Sequence, residues 1–525
     1  MRKISEIMKK VRSLDTTPEI KLRKALWSSG LRYRLHASNL PGNPDIVLPS
    51  KKLAIFVDGD FWHGNQWKTR RLNSLAEQFR NSENKNYWIS KIRGNESRDI
   101  KATARLLSDG WKVLRFWESQ INKNLEGCKK TVMDAVSDNN RSLRYFTVAE
   151  FFAGIGLMRI GLEKQGWNTV FANDIDPNKY EMYKANFGDE GEQFVLGDIH
   201  DLPGDTIPTV ALATASFPCN DLSLAGARSG LCGKHSSAFW GFIRILQEMG
   251  DRKPPIVLIE NVFGLLNSNK GEDFNNVLSA LNDLGYAVDT FVLNAADFVP
   301  QSRVRLFIVG VLSDTSDWSV REQRGFYESA VRPKSLADYI LTHPEIKWLI
   351  RPLPTPERIG VLLKDILEEL PDSAPEWWNE ERVKYILNQM SEKHTAIISE
   401  HLHVNDWHYV AVFRRVRNGK SMAEIRNDGI AGCLRTPRGG SGRQILLKIG
   451  NGRVLARLLT PRECARLMGA DDYKITVSLN NALFGFGDAV CVPVVEWIAK
   501  NYLNPLMIEI TRGNLLSSKE AYAKS

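Results

Sequence analysis

The stretch Thr147-Val148-Ala149-Glu150-Phe151-Phe152-Ala153-Gly154-Ile155-Gly156 runs an apolar strand straight into a glycine turn. A helix over roughly 157–165 and a second strand from Thr169 to Asn173 are expected after it, which makes a βαβ opening. Glycines at such a turn let backbone approach a ligand closely, and an acidic residue about 20 positions on can hold ribose hydroxyls. Asp174 stands at that distance. Taken alone, the glycine pair serves turn geometry as well as ligand binding. Downstream, Val210 to Ala215, Ile256 to Glu260, Val288 to Leu293 and Arg305 to Val311 read as further buried strands separated by helical segments. The expected fold class is therefore α/β, one doubly wound sheet. Residues 312–445 break the rhythm with prolines and tryptophans, and the pattern resumes near Leu458, so an inserted or appended lobe is expected.

Upstream of this unit, 18–30 reads as an amphipathic helix stopped by Gly30, followed by short strands at Ile46-Val47-Leu48 and Leu53 to Val57. A polar helical stretch over 83–109 ends at Gly110, and Trp111 to Trp117 alternates as a strand. Residues 121–145 read as a boundary helix and linker. The 525 residues carry ordinary globular composition, 43% hydrophobic and 25% charged, which excludes disordered and disulfide-scaffold classes. No uninterrupted apolar run of about 20 residues occurs, so the chain is expected to be soluble, with no membrane partner. The six cysteines, without CxxC spacing, fit a reducing cytoplasm.

Net charge is +9, but residues 1–145 hold 29 Lys+Arg against 15 Asp+Glu, leaving 41 against 46 for the rest. A second basic zone, 411–466, has 13 against 3 and begins with Arg414, Arg415, Arg417 and Lys420. Two positive zones favour a polyanion, and nucleic acid is the commonest in the cytosol.

Chemistry concentrates at strand ends. Phe217-Pro218-Cys219-Asn220-Asp221-Leu222-Ser223 puts a thiol directly after a buried strand, where open sheets hold their ligand crevice. A lone cysteine is more often a small buried hydrophobe. Ile259-Glu260-Asn261-Val262 and Gln301-Ser302-Arg303-Val304-Arg305 follow at later strand ends. Together, and in this order, the three segments resemble the signature of cytosine-C5 DNA methyltransferases. Asn173-Asp174-Ile175-Asp176, Gly197-Asp198-Ile199, the run Arg457 to Gly469 and Gly487-Asp488-Ala489-Val490 extend the resemblance over about 146–512.

That resemblance implies a Rossmann-like fold dependent on S-adenosylmethionine, double-stranded DNA as partner, a cytoplasmic protein associated with the bacterial nucleoid, and a monomer for methylation. Cys219 would add to cytosine C6, Glu260 would meet N3, Arg305 would contact O2, and Arg303 would support the cofactor or DNA side. Phe152, Gly154, Gly156, Asp174, Ile175, Asp198, Pro218, Asp488 and Val490 would hold the cofactor, with Asp174 on the ribose and Asp198 on the adenine edge. The target base must be flipped out of the duplex. Three positions depart from the family pattern: Asn220 replaces a glutamine, Leu157 a glycine, and Asp488 an asparagine. In the lobe, Leu434 to Gln444 resembles a family segment, with Arg435, Arg438 and Arg443 placed to read guanine edges or grip phosphates.

In the first part, Pro41-Gly42-Asn43-Pro44-Asp45 and Ile55-Phe56-Val57-Asp58-Gly59-Asp60-Phe61-Trp62-His63 bring acids and a histidine to neighbouring strands. The residues alone fit either a Mg²⁺ site that activates water or a polar hairpin with an aromatic wedge. With Asp15-Thr16-x-x-Glu19, Trp88, Gly110 to Leu114 and Trp117-Glu118, the segment resembles the very-short-patch mismatch endonucleases over about 5–120. This implies a small PD-(D/E)xK-like fold with Asp45 and the Val57 carbonyl on Mg²⁺, His63 assisting water, and Glu19 in support. Phe61, Trp62 and Trp88 would wedge between base pairs. The family's structural zinc positions fall on Asp60, Asn65, Trp67 and Ser119, so no structural zinc is expected, and packing around Trp67 and Trp117 is a candidate replacement.

The expected organisation is an endonuclease domain over 1–122, a linker over 123–145, catalytic motifs over 146–330, a target-recognition lobe over 331–450, closing motifs over 451–512 and a tail over 513–525. Deamination of 5-methylcytosine yields thymine opposite guanine, which gives the pairing a chemical logic and makes repair nucleases possible partners. A restriction–modification fusion, whose nuclease cuts unmodified DNA, and a non-catalytic DNA-binding adaptor are the competing readings.

Overall fold

The computed structural model describes residues 14–70, 72, 75–109, 111–137, 146–188, 194–217, 238–312, 327–417, 419–436 and 443–511. Cys219, Pro218 and Arg438, together with the loop departure Asn220, lie outside the described residues.

Among the described residues of the first part are four short strands: β1 (Arg34–Leu35), β2 (Ile46–Leu48), β3 (Leu53–Asp58) and β4 (Lys112–Trp117). They form one sheet in that order, antiparallel except for the parallel β3/β4 pair. Side chains alternate across a strand, so each strand feeds two faces. Ile46, Leu48, Leu53, Ile55, Leu114 and Phe116 face a core built with Leu22 and Leu26 of helix Thr17–Ser28. Helix Leu125–Ser137 packs on Thr17–Ser28 and adds Cys128 and Val132 to that core. The stretch read as boundary helix and linker thus contains a helix that belongs to this domain's core.

Seven strands follow: β5 (Thr147–Phe151), β6 (Asn168–Asp174), β7 (Phe194–Leu196), β8 (Leu212–Ala215), β9 (Ile256–Val262), β10 (Tyr286–Asn294) and β11 (Val304–Leu312). Their order is β10-β11-β9-β8-β5-β6-β7, parallel except for β11, which runs antiparallel between β9 and β10. The chain leaves β5 toward β6 on one side and returns to β8 on the other, which makes a switch point at the ends of these strands. Both faces are covered. Val148, Leu212, Ile256 and Leu258 face one core, while Ala149, Phe151, Ala213 and Ile259 face the other. Hence the strands read as continuous apolar runs.

The lobe holds β12 (His408–Arg417), β13 (Lys420–Arg426), β14 (Ile445–Gly450) and β15 (Arg453–Leu458) in the antiparallel order β13-β12-β14-β15. Its sheet therefore runs to Leu458, and helix Lys334–Thr342 packs instead into the catalytic core through Leu336, Ala337 and Ile340. Arg414, Arg415, Arg417 and Lys420 gather at the β12/β13 hairpin, where Glu424 pairs with Arg417 at 2.9 Å. The helical run Leu479–Ile510 is long and apolar enough to cross a membrane by length and composition alone, but most of its apolar window is buried as core.

Candidate active sites

The ends of β5, β6, β8 and β9 open on one cavity of about 970 Å³. Phe152, Gly154, Asp174, Ile175, Asp198, Asp488 and Val490 line it, as do Glu260, Arg303 and Arg305. The cofactor positions and the base-contacting positions implied by the sequence thus share one space.

The turn after β5 is built as a cradle. Phe152, Gly154 and Gly156 all have positive φ, at 56°, 57° and 78°. Among the described residues, only the Phe152 carbonyl oxygen, at 4.0 Å, lies near where a Gly154 side chain would be, so this backbone is open to a ligand. Gly156 has a different reason: a Cβ there would stand 2.4 Å from Phe187. It serves packing and does not line the cavity. Asp174, at the end of β6, takes the Gly154 N–H at 2.8 Å and the Asp176 N–H at 2.9 Å, so it fixes the turn as well as facing the cavity. Asp198 caps a short 3₁₀ turn by accepting the His200 N–H at 2.9 Å. Ile175 presents an apolar side chain, 64% exposed, beside them. Cavity size, open glycine backbone, the Asp174 carboxylate and an apolar platform together fit S-adenosylmethionine.

At the other end, Glu260 is buried and pairs with Arg305 Nε at 2.8 Å. Asn261 donates to the Phe217 carbonyl at 3.1 Å and so fixes the chain just beyond β8. Arg303 lines the cavity and reaches both the lobe's end and the segment that carries Asp488. Its guanidinium donates to the carbonyls of Leu434 (2.9 Å), Gly487 (3.1 Å) and Ala489 (2.6 Å), and among the described residues Nε has no partner. It ties the lobe's end and the C-terminal segment to the catalytic sheet and is a positioning residue.

The extra charge of Asp488 is matched by Lys179, 2.8 Å away across the cavity mouth. Burial works against the Lys179 ammonium, but Asp488 and Asp174 outweigh it and hold its pKa above the ordinary lysine value. Glu150, an acid inside an apolar strand, lies at the cavity wall, where one of its oxygens has no partner among the described residues. Burial pushes its carboxyl up to about 8. Sequence reading passed over both Lys179 and Glu150; the acid within Val148-Ala149-Glu150-Phe151 was the available signal. Among the lobe arginines, Arg435 is exposed, whereas Arg443 is held by Asn480 at 2.6 Å.

In the N-terminal domain, Asp45 accepts the Val57 N–H at 2.7 Å, so the carboxylate meets Val57 at its nitrogen. Burial pushes Asp45 up to about 6; the Val57 hydrogen bond pulls against this, and the Glu19 and Asp58 charges add to it. A half-buried acid beside two others fits a divalent cation. Glu19 is already engaged: it caps its own helix by accepting the Thr16 N–H at 3.2 Å and it bonds Arg23. His63 Nδ1 bonds Asp99, on helix Lys85–Ser108, and Arg115 bonds Asp58 at 2.6 and 2.8 Å and Asp99 at 3.0 Å. Burial disfavours the His63 imidazolium, but Asp99 and Asp58 outweigh it and raise the pKa. Asp99 and Arg115 were missed because nothing local marks an acid 36 residues beyond the histidine it orients.

Phe61, Trp62 and Trp88 form one cluster, with ring centroids 4.9 to 6.1 Å apart, and Phe79 stacks on Trp88. Three of the four positions implied for zinc bond to one another instead. Asp60 accepts from the Ser119 N–H at 2.9 Å, from Ser119 Oγ at 2.8 Å and from the Asn65 amide. This donor set does not fit zinc, and its hydrogen bonds join the loop that carries Phe61 and Trp62 to the end of β4.

Residues 146–504 match the family model described as C-5 cytosine-specific DNA methylase, and residues 1–69 match that of DNA mismatch endonuclease Vsr. The chain is 31% identical over 359 residues to the type II methyltransferase M.DsaV of Dactylococcopsis salina, covering 68% of this chain and 85% of that protein. It is 29% identical over 358 residues to the type II methyltransferase M.HhaI of Haemophilus parahaemolyticus, covering 67% and 92%. Its N-terminal part is 39% identical over 140 residues to the type II nicking enzyme V.NmeDIP of Neisseria meningitidis serogroup C, covering 27% and 90%.

Proposed function

Because the chain belongs to the family of C-5 cytosine-specific DNA methylases and carries a Vsr-type nicking endonuclease domain, we propose that it methylates cytosine C5 in one duplex sequence and nicks the T:G mismatches that deamination leaves there. The observation that carries the first half is the single cavity joining Gly154, Asp174 and Asp198 to Glu260 and Arg305. S-adenosylmethionine, when bound, supplies an electrophilic methyl group.

The chain's own residues prepare the base. The Cys219 thiolate adds to C6 of the flipped cytosine, which breaks the ring's aromaticity and raises electron density at C5. Glu260 shares a proton with N3 as negative charge develops there, and Arg305, already paired with Glu260, lies beside it to anchor O2. After transfer, a base takes the C5 proton and the C6–S bond breaks, which restores aromaticity and frees Cys219. Asp174 and Asp198 hold the cofactor's ribose and adenine.

In the nuclease domain, Asp45 would hold Mg²⁺, which supplies Lewis-acid polarisation of a phosphate oxygen. His63, kept in one orientation by Asp99, takes a proton from the attacking water through Nε2. The aromatic cluster is placed to enter the base stack at a lesion.

The test uses the full chain with DNA duplexes of the sequence it methylates, first mapped by bisulfite sequencing. With methyl donor, a 5-fluorocytosine duplex should become covalently trapped on the wild type and not on Cys219→Ser. With Mg²⁺, a T:G duplex should be nicked while the perfect duplex stays intact. Failure to trap a bound fluorocytosine duplex refutes the methylation chemistry, and double-strand cleavage of the unmethylated perfect duplex assigns the nuclease to restriction.

A further inference from the structure

The nuclease sheet has a second face. Ala54 and Phe56 of β3 and Val113 of β4 point away from the domain's own core and join the cluster that holds Leu503, Leu506, Met507 and Ile510. Helix Asn504–Thr511, at the end of the methyltransferase, lies against β4 and against helix Lys85–Ser108. That helix is fixed in its own domain by the Arg351–Glu509 pair, at 2.8 and 2.9 Å, and by Asn504, which accepts from the Trp167 indole at 2.7 Å.

The same face leads to the catalytic pair. Arg115 stands two residues beyond Val113 on β4, opposite Phe56 in register, with its guanidinium 4.3 Å above the Phe56 ring. From there it holds Asp58 and Asp99, and Asp99 bonds His63. Helix Lys85–Ser108, which carries Asp99, touches the methyltransferase helix directly. We propose that helix Asn504–Thr511 is a structural part of the nuclease: it closes the sheet face on which Arg115 and Asp99 position His63, so the nuclease is docked rather than tethered, and nicking depends on a methyltransferase element. The dependence of nicking rests on the nuclease reading above; the docking does not.

The experiment places a site-specific protease sequence within 138–145 of the full chain. After cleavage, the two fragments should co-elute at the position of the intact protein. With Met507→Asp and Ile510→Asp together, or with Val113→Asp on the nuclease side, they should separate. In the uncut chain the same substitutions should lower nicking of a T:G duplex by roughly 10²-fold, the scale set by misplacing a catalytic group by about 1 Å. Methyl transfer should stay within about threefold for Val113→Asp, which leaves the methyltransferase intact. Separate elution of the native fragments overturns the docking. Normal nicking by a variant whose fragments separate overturns the dependence. Co-elution with no nicking by the wild type supports the docking and overturns the nuclease reading instead.

Discussion

Replacing Arg303 by methionine separates a positioning role from a catalytic one. Arg303 is 2% exposed and donates to three carbonyls, at 2.9, 3.1 and 2.6 Å, on segments 131 to 186 residues away. Hydrogen bonds from a charged donor contribute about 1.5–3 kcal/mol each, so losing three would cost several kcal/mol. Part of this is offset, since methionine also removes a buried cation whose Nε has no partner among the described residues and whose pKa burial depresses. The net loss is on the order of 3 kcal/mol, borne by the closure of the lobe's end and the C-terminal segment over the cavity. A cofactor that binds only the closed arrangement would then bind up to roughly 10²-fold more weakly. Calorimetric titration of full-length Arg303→Met with S-adenosylmethionine, followed by single-turnover methyl transfer at saturating cofactor, reads the two effects separately. Weakened binding with a single-turnover rate within about tenfold of wild type is expected. Unchanged cofactor affinity with a rate depressed about 10³-fold would show that Arg303 acts on the reacting base, and the reasoning would fail.

Glu260→Gln keeps the shape beside Arg305 but cannot give a proton to N3, so single-turnover methyl transfer should fall roughly 10²–10⁴-fold with DNA affinity retained in a gel-shift assay; a loss under about tenfold removes Glu260 from the chemistry. His63 acts as a base only when neutral, and its raised pKa delays the rise of nicking to higher pH; Asp99→Asn should move the limb of the pH–rate profile downward while lowering the plateau. The linked stability has a definite sign: the His63–Asp99 contribution is full below the unfolded histidine pKa and is lost as pH rises through the raised folded value, which pH-dependent denaturation of wild type against Asp99→Asn would show. Chelators should leave the thermal transition unchanged, whereas Asp60→Ala, which strands the Ser119 N–H and the Asn65 amide, should destabilise by about 2–4 kcal/mol; a chelator-sensitive transition would mean a metal does hold the wedge loop.

The sequence by itself determined the parallel core strands, the βαβ opening with Asp174 at its second strand, and the positions of Glu260 and Arg305 at strand ends. These are local signals, because a strand buried on both faces must be apolar throughout and the residue at its end must face the crevice. It pointed to the aromatic cluster too, as Phe61 and Trp62 are adjacent and Trp88 packs against them. Only the tertiary structure decided which distant polar groups meet: His63 with Asp99, Arg115 with Asp58, Lys179 with Asp488, and Asp60 with Ser119. Such pairs depend on strand register and helix rotation, which no periodicity encodes. Within the stretch read as boundary helix and linker, the few apolar residues of Leu125–Ser137 fill only one stripe of a helix, and burial there is supplied by Leu22 and Leu26, far earlier in the chain. For the same reason the second face of the nuclease sheet was silent in sequence: Ala54, Phe56 and Val113 are apolar whether a helix of their own domain or of the next one covers them, and only the packed chain says which.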